Sequence, residues 1–453
     1  MLRLPRYYLT LPVSVPSIAE RTRRRVTRRL MPFLMVTYLF AYIDRANLSI
    51  AKLEMQTDLG FTDAVTGLAA GIFFIGYFLL EVPSTLIVER WSARRWLSRI
   101  MVSWGLVATL TGFLGMALPG LSLTRQFYAL RFLLGAAESG FFPGVIVYLS
   151  HWYSFEDRAR AKTWFMVTQP LAIVAGLGMS RWILETVHWH GLAGWRWVFI
   201  LEGLPSILLG IVTFFYLTDH PREANWLAAD EKKWLNSQLE NEQRQRAAAK
   251  RVKVSDALRQ PYTLLLIGIY FLIVSGNQGL VFFLPSVIDD LKSLSVTGRT
   301  VVTMLPYALG IFAILLAGLS AQRTGERRWH TAGPMLFSAA ALALAIQAGS
   351  HLLPLIVFYS LAAGTSQAYL PAFWTLPTSY LGKSAAATAI GLINSFGSLG
   401  GFAGPYAFGY LKTATGSFRP GLWCLVVCCL LAGLLATQVR SGHNRKGPHD
   451  TEA

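Results

Sequence analysis

The sequence predicts an all-helical membrane protein of twelve transmembrane helices in two six-helix bundles. Three observations predict it. The first is composition. Of 453 residues, 53% are hydrophobic and 14% charged, and the mean hydropathy is +0.44. A soluble domain carries about 25% charge, and here the apolar residues fall in separate runs long enough to cross a bilayer. The second is that the segments between runs are alternately rich and poor in Lys and Arg. The third is a repeat. Arg90-Trp-Ser-Ala-Arg94-Arg95-Trp96 follows the second run, and Arg323-Thr-Gly-Glu-Arg327-Arg328-Trp329 follows the eighth. The shared Arg-x-x-x-Arg-Arg-Trp at equivalent places implies two related halves, with a site at their interface near the midplane.

In chain order, residues 1–30 form a basic tail. The apolar run behind it is long and contains Asp44-Arg45, so it reads as a first span and not as a cleaved signal. Spans follow at about 31–51, 67–88, 97–118, 126–151, 163–184 and 197–217, which gives a first bundle over 31–217. Residues 218–260 contain Pro221, Glu231-Lys-Lys and a basic run to Arg251, and read as a polar, helix-favouring linker. The second bundle, 261–440, has spans at about 262–284, 300–320, 332–350, 354–380, 385–411 and 421–439. A short tail, 441–453, ends the chain.

Positive charge orients the spans. Eight Lys or Arg precede residue 30 and nine lie in 218–260, whereas the alternate segments hold only scattered ones such as Lys52, Arg125 and Arg419. Both termini are therefore expected in the cytoplasm. The net charge of +17 is explained by topology and not by nucleic acid. The three cysteines, Cys424, Cys428 and Cys429, all lie in the last apolar run, so neither a disulfide framework nor a metal site is expected. His188 and His190 have no third ligand nearby and read as loop residues. No cofactor is expected, and the chain is expected to work as a monomer.

Function is concentrated in Arg131-Phe-Leu-Leu-Gly-Ala-Ala-Glu138-Ser-Gly-Phe-Phe-Pro143. Arg131 and Glu138 are seven residues apart, so they share one helix face about 10 Å apart along the axis. Charges at membrane depth cost several kcal/mol unless they face protein or a water-filled cavity. An ion pair that only holds helices together is the competing reading; a substrate and proton site is the sharper one. Gly135 and Gly140 would let a neighbouring helix approach.

The other ionisable residues inside spans are Asp44, Arg45, Glu81, Arg181 and Glu202, all in the first half. The second half offers Asn277, Gln278, Tyr307, Gln367, Trp374 and Asn394. The first half would thus handle charge and the second supply shape and hydrogen bonds. By depth, Asp44 and Arg131 lie at a similar level and could meet. Glu138, Tyr77 and Asn394 lie near the midplane. Glu81 reads as a cytoplasmic-gate or packing residue, and Glu202 and Arg181 as structural.

Several stretches together resemble the major facilitator superfamily, and within it the anion:cation symporters. They are Tyr42-Ile-Asp-Arg-Ala-Asn47, Gly71 to Ser84, Arg131 to Gly144, Gly194-Trp-Arg-Trp to Gly203, Gly325-Glu-Arg-Arg-Trp-His330, and Ile393-Asn-Ser to Gly401. The tartrate and phthalate branch matches best, through Gly-Glu-Arg-Arg-Trp-His and Gly-Trp-Arg-Trp. The resemblance implies proton-driven uptake of organic anions in a bacterial inner membrane. It implies proton carriage by Asp44 and Glu138 and anion recognition by Arg45 and Arg131. It further implies pocket positions at Tyr42, Tyr77, Gln169, Trp374 and Asn394, and cytoplasmic gating by Glu89, Arg90, Arg94, Arg323 and Arg327. Two departures matter. Ala321-Gln322-Arg323 lacks the Asp that this loop usually carries, which weakens an inner-gate ion pair. Ala372-Phe373 precedes Trp374 where sugar-acid members often carry hydroxyl residues, which favours a less hydroxylated or aromatic acid.

The expected mechanism couples charges. An Arg in a partly dry cavity needs a counter-ion. A substrate carboxylate that takes Arg45 or Arg131 leaves Asp44 or Glu138 unpaired, and an unpaired buried acid favours its protonated form. The neutralised, loaded carrier can then rock to its other state. The alternative is an exporter or a proton-independent facilitator of the same fold. A membrane enzyme would need a catalytic motif such as His-Glu-x-x-His or Gly-x-Ser-x-Gly, and neither occurs. A sensor would need a soluble output domain, and 218–260 is too short to build one.

Overall fold

A computed structural model describes residues 17–116, 120–247, 256, 259–291, 293–349, 351–377 and 383–439. Its helices are α1 (Ile18–Leu59), α2 (Asp63–Arg90), α3 (Ala93–Thr111), α4 (Leu123–Glu138), α5 (Phe141–Ser150), α6 (Phe155–Thr186), α7 (Gly194–Tyr216) and α8 (Ala229–Ala247). They continue as α9 (Pro261–Asp289), α10 (Val296–Thr324), α11 (Arg328–Ala348), α12 (Leu352–Thr365), α13 (Leu370–Phe373), α14 (Lys383–Ser398), α15 (Gly400–Thr415) and α16 (Phe418–Thr437). Among the described residues nine segments are long and apolar enough to cross a membrane. The polar residues of α1 and α3 lower their hydropathy, and the eleventh span is divided into α14 and α15. With those three the spans are twelve: α4 and α5 form one, α12 and α13 another.

Side chains set the helix limits. Ser17 caps α1 in a capping box with Glu20, Thr62 caps α2 through Val65 N–H, and Ser92 caps α3 through Arg95 N–H. Gly140, at φ +81°, ends the α4 segment just after Glu138 and starts α5. Only a residue without a Cβ fits there, since a Cβ would lie 2.1 Å from Ser84 Oγ. Ser84 Oγ donates to Ser139 O at 2.9 Å and accepts from Trp96 Nε1 at 2.8 Å, which stitches the break to α2. At Gly135 a Cβ would lie 1.9 Å from Phe73 O, so α2 and α4 touch backbone to backbone.

In the first bundle α3 packs on α7, α1 on α6, and α2 on α4. In the second, α11 packs on α16 and α12, and α9 on α15 and α16. The bundles meet along α2–α15, α6–α10 and α1–α9. The start of α1 and the α8 helix lie together on one face, termed the terminal face. There the buried Glu231 accepts from Arg21 at 3.1 Å and from Arg25 at 2.7 Å.

Candidate functional site

A partly open cavity lies between the bundles. Its first-bundle wall includes Tyr42, Arg45 and Ser49 from α1, Phe73 and Phe74 from α2, Arg131 from α4 and Gln169 from α6. The second bundle contributes Asn277, Gln278, Phe282 and Gln367. Gln367 Nε2 donates to Asn277 Oδ1 at 3.2 Å, and Asn277 Nδ2 to Ser366 Oγ at 3.1 Å, so the amides form one connected wall.

The charges are unequally matched. Arg45 Nε donates to Glu138 Oε1 at 2.6 Å, with the Glu138 side chain 2% exposed. Three rings surround the Arg45 guanidinium: Tyr42 at 5.1 Å, Phe73 at 5.6 Å and Tyr77 at 5.0 Å. The Arg131 guanidinium lies 5.1 Å from the same Phe73 ring, so one aromatic ring serves both cations. Arg131, only 3% exposed, donates from Nε to Ala69 O at 3.3 Å, while its Nη1 has no hydrogen-bond partner. Among the described residues no carboxylate lies within ion-pair distance of Arg131. Of the two cationic cavity residues, Arg45 alone is therefore paired with an acid among the described residues.

Asp44 faces elsewhere. Its Oδ2 accepts from Trp104 Nε1 at 2.7 Å and Ser206 Oγ at 3.0 Å, behind α1 and away from the cavity wall. Similar depth thus does not bring Asp44 into an ion pair with Arg131; the direction of its side chain on α1 decides. Glu202, one turn before Ser206 on α7, is fully buried and accepts from Ser180 Oγ at 2.7 Å.

Of the sequence-derived pocket positions, Tyr42, Arg45, Arg131 and Gln169 line the cavity, and Tyr77 stands beside it on Arg45. Trp374 packs on Tyr270, with centroids 5.0 Å apart, and does not line it. Asn394 donates to Glu81 Oε1 at 2.6 Å, and Ser395 Oγ to Glu81 Oε2 at 3.2 Å. Glu81 is thereby a buried link between bundles on the terminal side of the cavity. On the other side the links are Arg181 to Asp289 at 2.9 Å and Ala64 N–H to Thr413 Oγ1 at 2.9 Å.

Of the gating positions, the side chains of Glu89 and Arg90 lie outside the described residues. Arg94 N–H donates to Asp219 Oδ1 at 2.8 Å, and Ser92 Oγ to Asp219 Oδ2 at 2.7 Å, so Asp219 organises the first repeat of the motif. In the second repeat Glu326 caps α11 through Arg328 N–H at 2.9 Å and Trp329 N–H at 2.7 Å, while Arg323 and Arg327 are exposed. Sequence reasoning missed Phe73. The signal was its place four residues before Tyr77, on the same helix face.

The chain matches the Major Facilitator Superfamily profile over residues 34–405. It belongs to that superfamily. It is 40% identical to a protein of Agrobacterium vitis named "Putative tartrate transporter", over 93% of this chain and 92% of the relative. It is 36% identical to the "Quinolone resistance transporter" of Acinetobacter baumannii, over 92% and 94%. Among solved structures it resembles that of a D-xylose–proton symporter, with a TM-score of 0.73 at 13% identity, over 92% of this chain and 99% of that one. This major facilitator chain is thus a multi-pass membrane transporter and not an enzyme.

Proposed function

We propose that the protein carries a small organic anion, a carboxylate of the tartrate or phthalate kind, into the cell together with protons, by alternating access. The observation that carries this reading is the mismatch in the cavity: Arg45 and Arg131 flank Phe73, only Arg45 is paired, to Glu138, and Arg131 Nη1 is unpartnered. A carboxylate fits an unpaired guanidinium in planar, two-point fashion. When it engages Arg45 as well, Glu138 loses its cation and takes a proton. Asp44, held by neutral donors, is the second proton carrier. The rings of Tyr42, Phe73, Phe74 and Phe282 favour an acid with an apolar or aromatic body, and the amides of Asn277, Gln278 and Gln367 would orient it.

In this reading the terminal face is cytoplasmic, in a bacterial inner membrane, because the basic segments collect there. The chain then divides into the tail 1–30, the bundle 31–217, the linker 218–260, the bundle 261–440 and the tail 441–453, and works as a monomer. Impermeant maleimide added outside intact cells should fail to reach Ser92→Cys; labelling there would reverse the orientation. The deciding experiment is uptake by proteoliposomes of labelled tartrate and phthalate, with and without an inward proton gradient. Accumulation that needs the gradient supports the reading. The quinolone-named relative supports a second one, export; outward substrate movement against a gradient would select it.

A further inference from the structure

Lys52 is a cation that the site described so far does not use. It stands seven residues beyond Arg45 on α1, two turns or about 10 Å toward the face opposite the termini. Ser49, between them in register, lines the cavity. Lys52 is 0% exposed and its Nζ has no hydrogen-bond partner. The ammonium lies 3.6 Å from the centroid of Phe283 and 4.2 Å from that of Phe282, both on the opposing bundle. Phe282 also lines the cavity, so Lys52 stands behind that part of the cavity wall. Two other cations near this face are differently placed: Arg181 and Arg299 both pair with Asp289, at 2.9 and 3.0 Å. Lys52 makes no ion pair among the described residues.

Rings replace only part of the hydration of a buried ammonium. Closure of this face over Lys52 is therefore costly with an empty cavity and easier with an anion beneath it. Parting of α1 from α9 at this face would lift the ammonium off the rings and return it to water. It would then stand at the mouth of the path to Arg45 and Arg131.

We propose that Lys52 is an anion-guiding residue, which receives an incoming carboxylate at the face opposite the termini and passes it to Arg45 and Arg131. This rests on the anion-uptake reading above. It identifies a second anion contact, used only while that face is open, with rings of the other bundle as its stopper.

Lys52→Met keeps the length of the side chain and its packing on Phe282 and Phe283 but removes the charge. In right-side-out vesicles the half-saturation concentration for tartrate should rise about tenfold, the effect of one unit charge at short range in partly hydrated surroundings. In inside-out vesicles it should stay unchanged, and Lys52→Arg should restore the wild-type value. An unchanged value in right-side-out vesicles, or an equal rise from both sides, overturns the proposal in favour of a purely structural lysine.

A second measurement does not depend on the substrate. Ser49→Cys is treated from outside with an anionic and a cationic methanethiosulfonate, and modification of that peptide is read by mass spectrometry. The anionic reagent should react faster, and Lys52→Met should lower the anion-to-cation rate ratio by about tenfold or more. A ratio unaffected by Lys52→Met overturns the guiding role even if wild type carries no carboxylate. A wild type that carries no carboxylate, with the ratio changed as expected, overturns only the choice of substrate.

Discussion

Glu138→Gln tests the coupling most directly. Glu138 and Arg45 are hydrogen-bonded at 2.6 Å with the acid buried. At the ~4 Å separation of the charge centres, an effective dielectric of 20 gives an attraction of about 4 kcal/mol. Gln retains an acceptor in the same place, worth about 1 kcal/mol as a neutral hydrogen bond. The substitution therefore releases about 3 kcal/mol of the hold on Arg45. The rings of Tyr42, Phe73 and Tyr77 remain around that guanidinium, so Arg45 keeps its position. A substrate carboxylate no longer competes with Glu138, and its affinity at neutral pH should rise by as much as ~100-fold. Net accumulation should fail, since a Gln neither binds nor releases a proton. Exchange of labelled for unlabelled substrate should survive, because exchange never requires the empty carrier to return. Binding by purified protein is measured beside gradient-driven uptake and counterflow in the same liposomes. Loss of binding, uptake and counterflow together, with a lowered melting temperature, would refute a proton role for Glu138 and leave it a structural partner of Arg45.

Arg131→Lys keeps the charge but loses the planar fork that the unpartnered Nη1 belongs to; uptake should fall by about tenfold or more with the protein still folded in the membrane, and near-normal uptake would assign Arg131 to packing. Glu81→Ala removes both bonds to Asn394 and Ser395, so a cysteine at Gln278 should react faster with impermeant reagents from the terminal face; an unchanged rate would show that these bonds do not restrain opening. His151, just beyond α5, is pushed down to about 4, by burial first and by neighbouring His220 second. Its unfolded counterpart titrates near about 6.5, so the unfolded state binds the extra proton first and stability should decline as pH falls from about 6.5 toward 4. His151→Gln should flatten that slope in thermal unfolding of the detergent-solubilised protein, and an unaltered slope would place the titration elsewhere.

Much of the fold was legible because a bilayer leaves few ways to satisfy a backbone, so apolar runs of the right length become helices. The division of labour was legible too. A charge in a span must be compensated or hydrated, and only the first half carried such charges. What the sequence did not reveal was direction around the helix axis. Asp44 and Arg45 are adjacent, so their side chains point about 100° apart: Arg45 lines the cavity and Asp44 turns to Trp104 and Ser206. Depth counting treats the two alike. Glu202, which the sequence marks as structural, is buried; that burial depends on which helices pack around α7 and not on its position along the span. The role of Asn394 was displaced in the same way: its depth matched the cavity, but Glu81 on α2 takes its amide.

The placement of the bonds between bundles explains how such a site could be coupled to movement. Both arginines and Glu138 belong to the first bundle, so a rocking of the bundles would not separate them. The amide wall of Asn277, Gln278 and Gln367 rides on the second. A bound anion would bridge a fixed cationic wall and a moving amide wall, and its contacts with the amides report how far the bundles have closed. On the terminal side, closure relies on Glu81 meeting Asn394 and Ser395, a carboxylate on neutral donors. On the other side it relies on Arg181 meeting Asp289 and on Lys52 against Phe282 and Phe283. The two ends thus respond oppositely to charge. In the proposed reading, an anion in the cavity would favour closure over Lys52 and disfavour closure over an ionised Glu81, and protonation of Glu81 would relieve only the latter. In the anion-carrying reading, a carrier built this way would set its direction of opening through the net charge of its contents.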